Sequence, residues 1–250
     1  MQRAIASLTL CLLCTTAGAT QYPAQLDWSE RLVLSTPVSG IVSATPVSAG
    51  TQVEQGQLLV QLDERPFRSA LRGATAQVHK QELNRDEARR ELERTRELYE
   101  RRVIAVHDLQ LQEIATANAE SDCTSAQAAL DAAQLHLEYS GIRAPFSGLV
   151  LDVAVAPGET VVNAQQATPM VTLARNHPMT AVAQVEAADL GQLSPGRQAT
   201  VEVGAQRYPG KVVRLGAEPD SSGHYPLVVS FDPGDNLLRA GLPARIETSP

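Results

Sequence analysis

Between residues 64 and 141 the chain repeats its hydrophobic pattern every seven positions. The first run of repeats forms two columns: Phe67, Ala74, Gln81, Ala88 and Thr95, and Leu71, Val78, Arg85, Leu92 and Tyr99. The second run forms one column with alanines beside it: Leu109, Thr116, Cys123, Leu130 and Leu137, with Ala119, Ala126 and Ala133. This spacing predicts two helices that meet along a seam, and the alanines would allow a close approach. Pro66 suits the first turn of the first helix.

The seven-residue pattern breaks between Arg101 and His107. The two arms on either side of the break are nearly equal in length, so they should fold back on each other as an antiparallel hairpin. With roughly 33 residues and a rise of 1.5 Å per residue, each arm would be about 50 Å long. The sequence therefore predicts a helical hairpin over residues 64–141.

Two β-rich segments flank this helical region and repeat each other. Pro37–Val42 (PVSGIV) matches Pro145–Val150 (PFSGLV), and the same offset aligns further valines and glycines beyond them. We expect turns at the glycines of both copies, because glycine adopts turn conformations that other residues avoid: Gly40, Gly50, Gly148 and Gly158. Neither copy is long enough to bury a core alone, so residues 37–63 and 142–175 are interpreted as two halves of one β-domain.

Residues 176–250 contain short valine-rich stretches separated by turn signals such as Pro195-Gly196 and Pro233-Gly234. Regular short strands of this kind predict a small all-β barrel or sandwich. Residues 20–36 are assigned as an N-terminal segment. Stability must come from packing, since Cys123 is the one cysteine outside the first 19 residues and allows no intramolecular disulfide.

Residues 1–19 resemble a secretory signal peptide. Arg3 precedes a short apolar run, Ile5–Leu13, and Ala17-Gly18-Ala19 fits the small-residue cleavage pattern, so we expect cleavage after Ala19. The alternative is a retained membrane anchor, but the apolar run is shorter than the about 20 residues that span a bilayer.

Composition argues against several classes of function. The formal net charge is -7, and no basic patch suited to nucleic acid is visible. Phosphate-binding, dinucleotide and nucleophile motifs are missing from the sequence, and the five histidines are scattered. We therefore predict no catalytic site, no metal site and no cofactor. The two lysines, Lys80 and Lys211, lie outside both half-motifs, which argues against a lipoyl or biotin carrier.

Several motifs resemble those of the membrane fusion proteins, also called periplasmic adaptor subunits. Pro37–Asp63 is similar to the family's first half-lipoyl motif, and Ile142–Gly148 (IRAPFSG) is similar to the second and is the most specific. The barrel region has three further similar segments: Val185–Leu190, Gly210–Val212 and Leu238–Ala244.

The resemblance implies a mixed α and β fold, elongated and modular. In this fold a split lipoyl-like β-domain carries an inserted antiparallel α-helical coiled-coil hairpin and is followed by a small β-barrel. It also implies a non-enzymatic adaptor in the periplasm, peripheral to the inner membrane. Its expected partners are an inner-membrane transporter, an outer-membrane channel and further copies of itself in a trimeric or hexameric ring.

In such adaptors the hairpin tip contacts the channel through an Arg, a Leu four residues later and a Ser seven residues further. Arg94 and Leu98 fit this pattern, but the Ser position holds Ala105. The candidate channel-binding residues are Arg94, Leu98, Arg101, Arg102, Val103, Ile104 and Ala105.

Other functions remain open at this point. The resemblance favours an adaptor for a proton-driven transporter of the resistance-nodulation-division (RND) type, and an adaptor for an ATP-driven (ABC-type) exporter is the close alternative. A secreted lipoyl-like carrier and a structural coiled-coil protein are alternatives from different classes.

Overall fold

The computed structural model describes residues 20–163, 167–234 and 236–248. The predicted signal peptide, residues 1–19, lies outside the described residues. The chain divides into two compact units: Arg31–Ala174, here the hairpin unit, and the residues before and after it, here the barrel unit. No helix within the described ranges is both long and apolar enough to cross a membrane.

In the hairpin unit, strands of the two predicted half-motifs pair with each other. The strands are β2 Gly40–Ala44, β3 Gln52–Val53, β4 Leu58–Leu62, β5 Gly141–Arg143, β6 Gly148–Val153 and β7 Thr160–Val161. Strand β2 pairs with β7, β3 with β6 and β4 with β5, all antiparallel. The paired strands bury one core, and its most completely buried members are Leu59, Val60, Leu62, Val150, Met170 and Leu173. Each half therefore supplies strands that the other half needs.

Two long helices extend from the paired strands β4 and β5. Helix α1 is Arg65–Glu100 and helix α2 is Val106–Tyr139. Pro66 lies in the first turn of α1, as predicted. The pairing of Gln61 with Gly141 holds the start of α1 and the end of α2 together. The helices enter and leave the β-sheet at one place, so a long insertion leaves the sheet intact.

The burial pattern of both helices follows the predicted seam. Every seam position is buried or half-buried except Tyr99, which is 40% exposed. The neighbouring Leu98, which is not a predicted seam position, is half-buried. Contacts between the helices run in opposite directions along the chain, since Arg89 pairs with Glu120 and Arg96 with Glu113. We call α1 and α2 together the helical pair.

The four predicted turn glycines fall into two groups. Gly50 and Gly158 lie in turns with φ of +86° and +91°, as expected. Gly40 and Gly148 are the first residues of β2 and β6 and have no positive φ, so the prediction of turns there is wrong. At Gly148 the physical reason for glycine is space, because a Cβ would overlap the carbonyl oxygen of Ala174.

The barrel unit is built from a sheet that includes the N-terminal segment. Its strands are β1 Thr20–Leu34, β8 Val171–Val185, β9 Gln198–Val203, β10 Gln206–Leu215, β11 Tyr225–Phe231 and β12 Pro243–Thr248, with a 3-10 helix at Ala187–Gln192. The order β1-β12-β9-β10-β11-β8 is closed by a further pairing of β1 with β8. Tyr22, Ala24 and Leu26 alternate with exposed residues and face the core. Residues 20–34 of the N-terminal segment thus form a strand of this sheet.

Candidate docking surface at the helical turn

Helix α1 ends in a tight hydrogen-bonded turn that reverses the chain. The Arg102 N–H donates to the Tyr99 carbonyl (2.8 Å), and the Val103 N–H donates to the Leu98 carbonyl (2.9 Å). These two bonds form a Schellman motif, which satisfies carbonyls that a helix end leaves without a partner. The motif requires a left-handed residue, and here that residue is Arg102 with φ of +59°. Among the described residues other than glycine, Arg102 alone has a positive φ.

Helix α2 begins directly after this turn, at a cap that lacks a side-chain oxygen. Ala105 has extended backbone angles (φ −79°, ψ 155°), as an N-cap residue should. Its N–H donates to the Asp108 carboxylate (3.3 Å), and its carbonyl accepts from the Asp108 N–H (3.1 Å). The turn therefore comprises Arg101–Ala105. Backbone hydrogen bonds close it at the end of α1, and at the start of α2 the Asp108 carboxylate adds one side-chain hydrogen bond.

The structure brings five of the seven predicted site residues together in this turn: Arg101, Arg102, Val103, Ile104 and Ala105. Arg94 and Leu98 lie on the last turns of α1 before it. Val103 is 65% exposed, while Ile104 is half-buried. Val106, which opens α2 and is 52% exposed, was not among the predicted residues. Val106 could have been identified from the sequence, because it departs from the seven-residue columns.

Arginines along the helical pair differ from those in the turn in their ion pairing. Seven of the eight arginines on α1 pair with carboxylates, and Arg72 is the exception among the described ion pairs. The pairs are Arg65–Asp63, Arg68–Glu64, Arg85–Asp86, Arg89–Glu120, Arg90–Glu87, Arg94–Glu91 and Arg96–Glu113. Hydrogen bonds from Arg85 to Asp86 raise the pKa of that guanidinium. Arg101 and Arg102 have no carboxylate within ion-pair distance in the described part of the chain. The turn thus presents two positive charges without an ion-pair partner beside exposed valines.

At the other end of α1, an ion pair fixes the start of the helix. Asp63 accepts the backbone N–H of Arg65 (3.0 Å) and two hydrogen bonds from its guanidinium (2.9 and 2.6 Å). The side-chain hydrogen bonds from Arg65, then the backbone bond, lower the pKa of Asp63 to about 2. This carboxylate therefore remains charged down to strongly acidic pH.

Part of the outer face of α2, opposite the seam, carries no charged residue, whereas the outward column beside it contains Asp131 and Glu138. Two columns of exposed residues make up this part, here the uncharged face: His107, Ile114, Ser121, Ala128 and Leu135, and Leu111, Asn118, Ser125, Ala132 and Tyr139. The corresponding outer columns of α1 include Lys80, Glu87, Arg90, Arg94 and Glu97. The outer columns of α1 are therefore strongly charged, whereas these two columns of α2 are uncharged and expose several large apolar side chains.

The described residues contain no group of three or more His, Cys, Asp or Glu side chains that could hold a metal ion. In the barrel unit an open groove of about 720 Å³ is lined mostly by apolar residues, and its one ionisable side chain is Asp27. Cys123 is half-buried on the seam, 3.6 Å from the Arg85 guanidinium. The most distinctive surfaces of the described chain are the turn and the uncharged face.

Comparison with known proteins accounts for this architecture. Residues 32–173 match the model of the barrel-sandwich hybrid domain of RND membrane fusion proteins. Multidrug resistance protein MdtA of Yersinia enterocolitica is 33% identical over 162 residues, which cover 65% of this chain and 36% of that protein. The matched region is thus little more than a third of the length of this curated relative.

Two solved structures share the fold. The membrane fusion protein Spr0693 from Streptococcus pneumoniae R6 has a TM-score of 0.71 at 16% identity, covering 92% of this chain and 98% of that one. A MacA-MexA chimeric protein that contains the Pseudomonas aeruginosa MexA alpha-hairpin domain has a TM-score of 0.68 at 18% identity, covering 92% and 78% of the two chains. Since the family model matches more than half of the chain, the chain belongs to the membrane fusion proteins of the RND type, through their barrel-sandwich hybrid domain.

Proposed function

We propose that this protein is a periplasmic adaptor of an efflux pump, bridging an RND-type inner-membrane transporter and an outer-membrane channel. One observation carries the proposal: a helical pair of 36 and 34 residues extends from the family's β-domain and ends in an exposed turn. At 1.5 Å per residue the pair reaches about 50 Å from the sheet. Such a pair acts as a coiled-coil spacer whose far end binds a partner.

The turn is the surface proposed to bind the channel. Arg101, Arg102 and Val103 are exposed there, whereas the seam residues behind them are occupied by helix packing. Ala105 replaces the serine that the tip pattern of channel-binding adaptors contains, so contact would depend more on its neighbours. The likeness to MdtA, whose name indicates multidrug resistance, supports efflux as the process in which the protein takes part.

Cross-linking in cells tests the proposed partner directly. A photoreactive amino acid at Val103 should capture an outer-membrane channel protein, to be identified by mass spectrometry. The same residue at Arg72, an exposed position of α1 near the sheet, is the matched control and should not capture the channel. Capture of only further copies of this chain at Val103, or of the same proteins from both positions, would contradict the proposal.

Self-association is proposed to use the uncharged face of α2. Helices that bury a face against a neighbour avoid charges there, because an unpaired charge is costly to remove from water. Ala128 on this face and Ala76 on α1 are both exposed alanines at outer positions of their helices. Ala128→Glu should lower the oligomer fraction in light scattering, whereas Ala76→Glu should leave it unchanged. Equal effects of the two substitutions would count against this face.

The expected periplasmic location also has a simple test. Cleavage after Ala19 would leave Thr20, the first residue of β1, at the amino terminus of the mature protein. Mass spectrometry of the protein from a periplasmic extract should therefore give an N-terminal peptide that begins at Thr20. A peptide that contains the apolar run would instead indicate a retained anchor.

A further inference from the structure

The turn contains an arginine where the backbone favours glycine. In a Schellman motif the left-handed position is usually glycine, because a Cβ crowds the following carbonyl in that conformation. Arg102 occupies this position with φ of +59° and both hydrogen bonds of the motif in place. The turn therefore accepts a conformational cost that a glycine would remove.

No contact inside the described chain accounts for that cost. The Arg102 side chain is exposed, and no carboxylate of the described residues lies within ion-pair distance of it, in contrast to the seven paired arginines of α1. Strained residues persist where their surroundings or a function require them, and they cluster at binding sites. A side chain that contributes no visible contact within the chain, at a position that is costly for it, points to a contact with another molecule.

The chemistry of the turn indicates what that molecule offers. A guanidinium binds a carboxylate with two parallel hydrogen bonds, a geometry that gives strength and orientation. Val103 and Val106, both more than half exposed, lie on either side of Ile104 and Ala105 in sequence and add apolar area beside the charge. The partner surface should therefore combine a carboxylate with an apolar contact.

We propose that Arg102 is a specificity-determining docking residue, whose guanidinium receives a carboxylate of the outer-membrane channel while Val103 packs against an apolar side chain next to it. This inference rests on the proposed function of the turn. The left-handed backbone directs this side chain away from the path that a helical residue would take. Arg102 thereby adds a charged contact to those expected from Arg94 and Leu98.

Substitution of Arg102 separates docking from folding. Arg102→Gly should raise the midpoint of thermal unfolding, since it relieves the backbone, and should lower capture of the channel tenfold or more from a photoreactive residue at Ala105. Arg102→Lys, which keeps the charge and the strain but loses the two parallel hydrogen bonds, should give capture between that of the parent and that of Arg102→Gly, and Arg102→Glu should retain least. A variant that is more stable yet binds less is a result that loss of structure cannot produce.

Arg101→Ala and Arg102→Ala form the matched pair, because both remove one exposed positive charge from adjacent positions. Arg102→Ala should reduce capture at least threefold more than Arg101→Ala. Equal losses would overturn the assignment, since they would indicate attraction by net charge alone, and so would undiminished capture by Arg102→Gly. If the unsubstituted protein captures no channel, the proposed function itself fails. This outcome differs from equal losses in the two alanine variants and from undiminished capture by Arg102→Gly, which contradict only the role of Arg102.

Discussion

Gly148→Ala should destabilise the hairpin unit more than substitution of any glycine in its turns. Gly148 begins β6, pairs with Val53 of β3, and lies under the backbone of β8. An alanine Cβ there would be 3.1 Å from the Ala174 carbonyl carbon and would overlap its oxygen. Favourable carbon–carbon contacts begin near 3.5 Å, so one strand must move by roughly half an ångström or more. Because the obstacle is backbone, no side-chain rotation can relieve it.

The magnitude follows from the nature of the clash. Adding a methyl group to a packed interior typically costs about 1–3 kcal/mol, and a backbone obstacle puts Gly148→Ala near 3 kcal/mol. For a unit of this size, each kcal/mol lowers the unfolding midpoint by about 2–4 °C, so we expect a decrease of roughly 6–12 °C. The signal to follow is circular dichroism at 222 nm, which the long helices of this unit dominate. The one tryptophan, Trp28, lies in the barrel unit and reports on that unit separately.

Gly158 supplies the control that distinguishes space from backbone conformation. It has φ of +91°, and apart from its chain neighbours no described atom lies within 4 Å of the place that a methyl group would occupy, so Gly158→Ala should cost only the about 1–2 kcal/mol of left-handed strain. Asparagine tolerates that conformation better than alanine, so Gly158→Asn should be milder than Gly158→Ala. At Gly148 asparagine should destabilise the protein more than alanine, because space is lacking there and asparagine is the larger residue. A Gly148→Ala protein with the unfolding midpoint of the parent, or the same Ala–Asn order at both sites, would refute the reasoning.

The remaining predictions concern the ends and the interior of the helices. Ala105→Ser should stabilise the protein by about 1 kcal/mol in urea unfolding, because the hydroxyl can cap α2, whose start now relies on Asp108; no gain would show that Ala105 is not the effective N-cap. Gly73→Ala should raise the free energy of unfolding by about 0.5–1 kcal/mol, since Gly73 lies within α1 and no described atom lies within 4 Å of the added methyl group. A lower free energy of unfolding would indicate that the methyl group meets another atom there. Asp63→Asn should lower stability at neutral pH but not near pH 2, because the Asp63 pKa is lowered from 3.8 to about 2 and its contribution is lost as pH falls through that window; an unchanged difference across this range would exclude the ion pair with Arg65 as the cause.

The helices were predictable from the sequence because their stability depends on a repeated local pattern. Seven-residue spacing indicated the seam, and Pro66 together with the break after Arg101 indicated limits that agree closely with Arg65–Glu100 and Val106–Tyr139. Tyr99 is the exception, since the last helical turn before the reversal no longer faces α2 and its large ring remains exposed. A seven-residue pattern predicts burial only as far as the partner helix extends.

Features that depend on distant parts of the chain could not be predicted. Strand β1 alternates buried and exposed residues, but its partner β12 lies more than 200 residues away, and Pro23 obscured the pattern. The close approach at Gly148 exists only because β6 lies against β8, so the sequence could show the glycine but not the reason for it. Arg102 carries no local sign of a left-handed conformation, because its position is fixed by the hydrogen bonds that end α1.

The helical pair keeps the residues that fold it apart from those that face partners. Apart from Tyr99, its seam consists of half-buried and buried residues. The ion pairs on its surface are exposed, and exposed pairs contribute at most about 1 kcal/mol each. The turn is held by backbone hydrogen bonds and by the Asp108 carboxylate, so its arginines and valines can change without removing any contact that the fold needs. Substitutions in the turn and on the uncharged face of α2 should therefore alter partner choice at little cost in stability. A pair of this construction can be adapted to a different channel by changing a few residues at its end, while the seam and the β-domain stay the same.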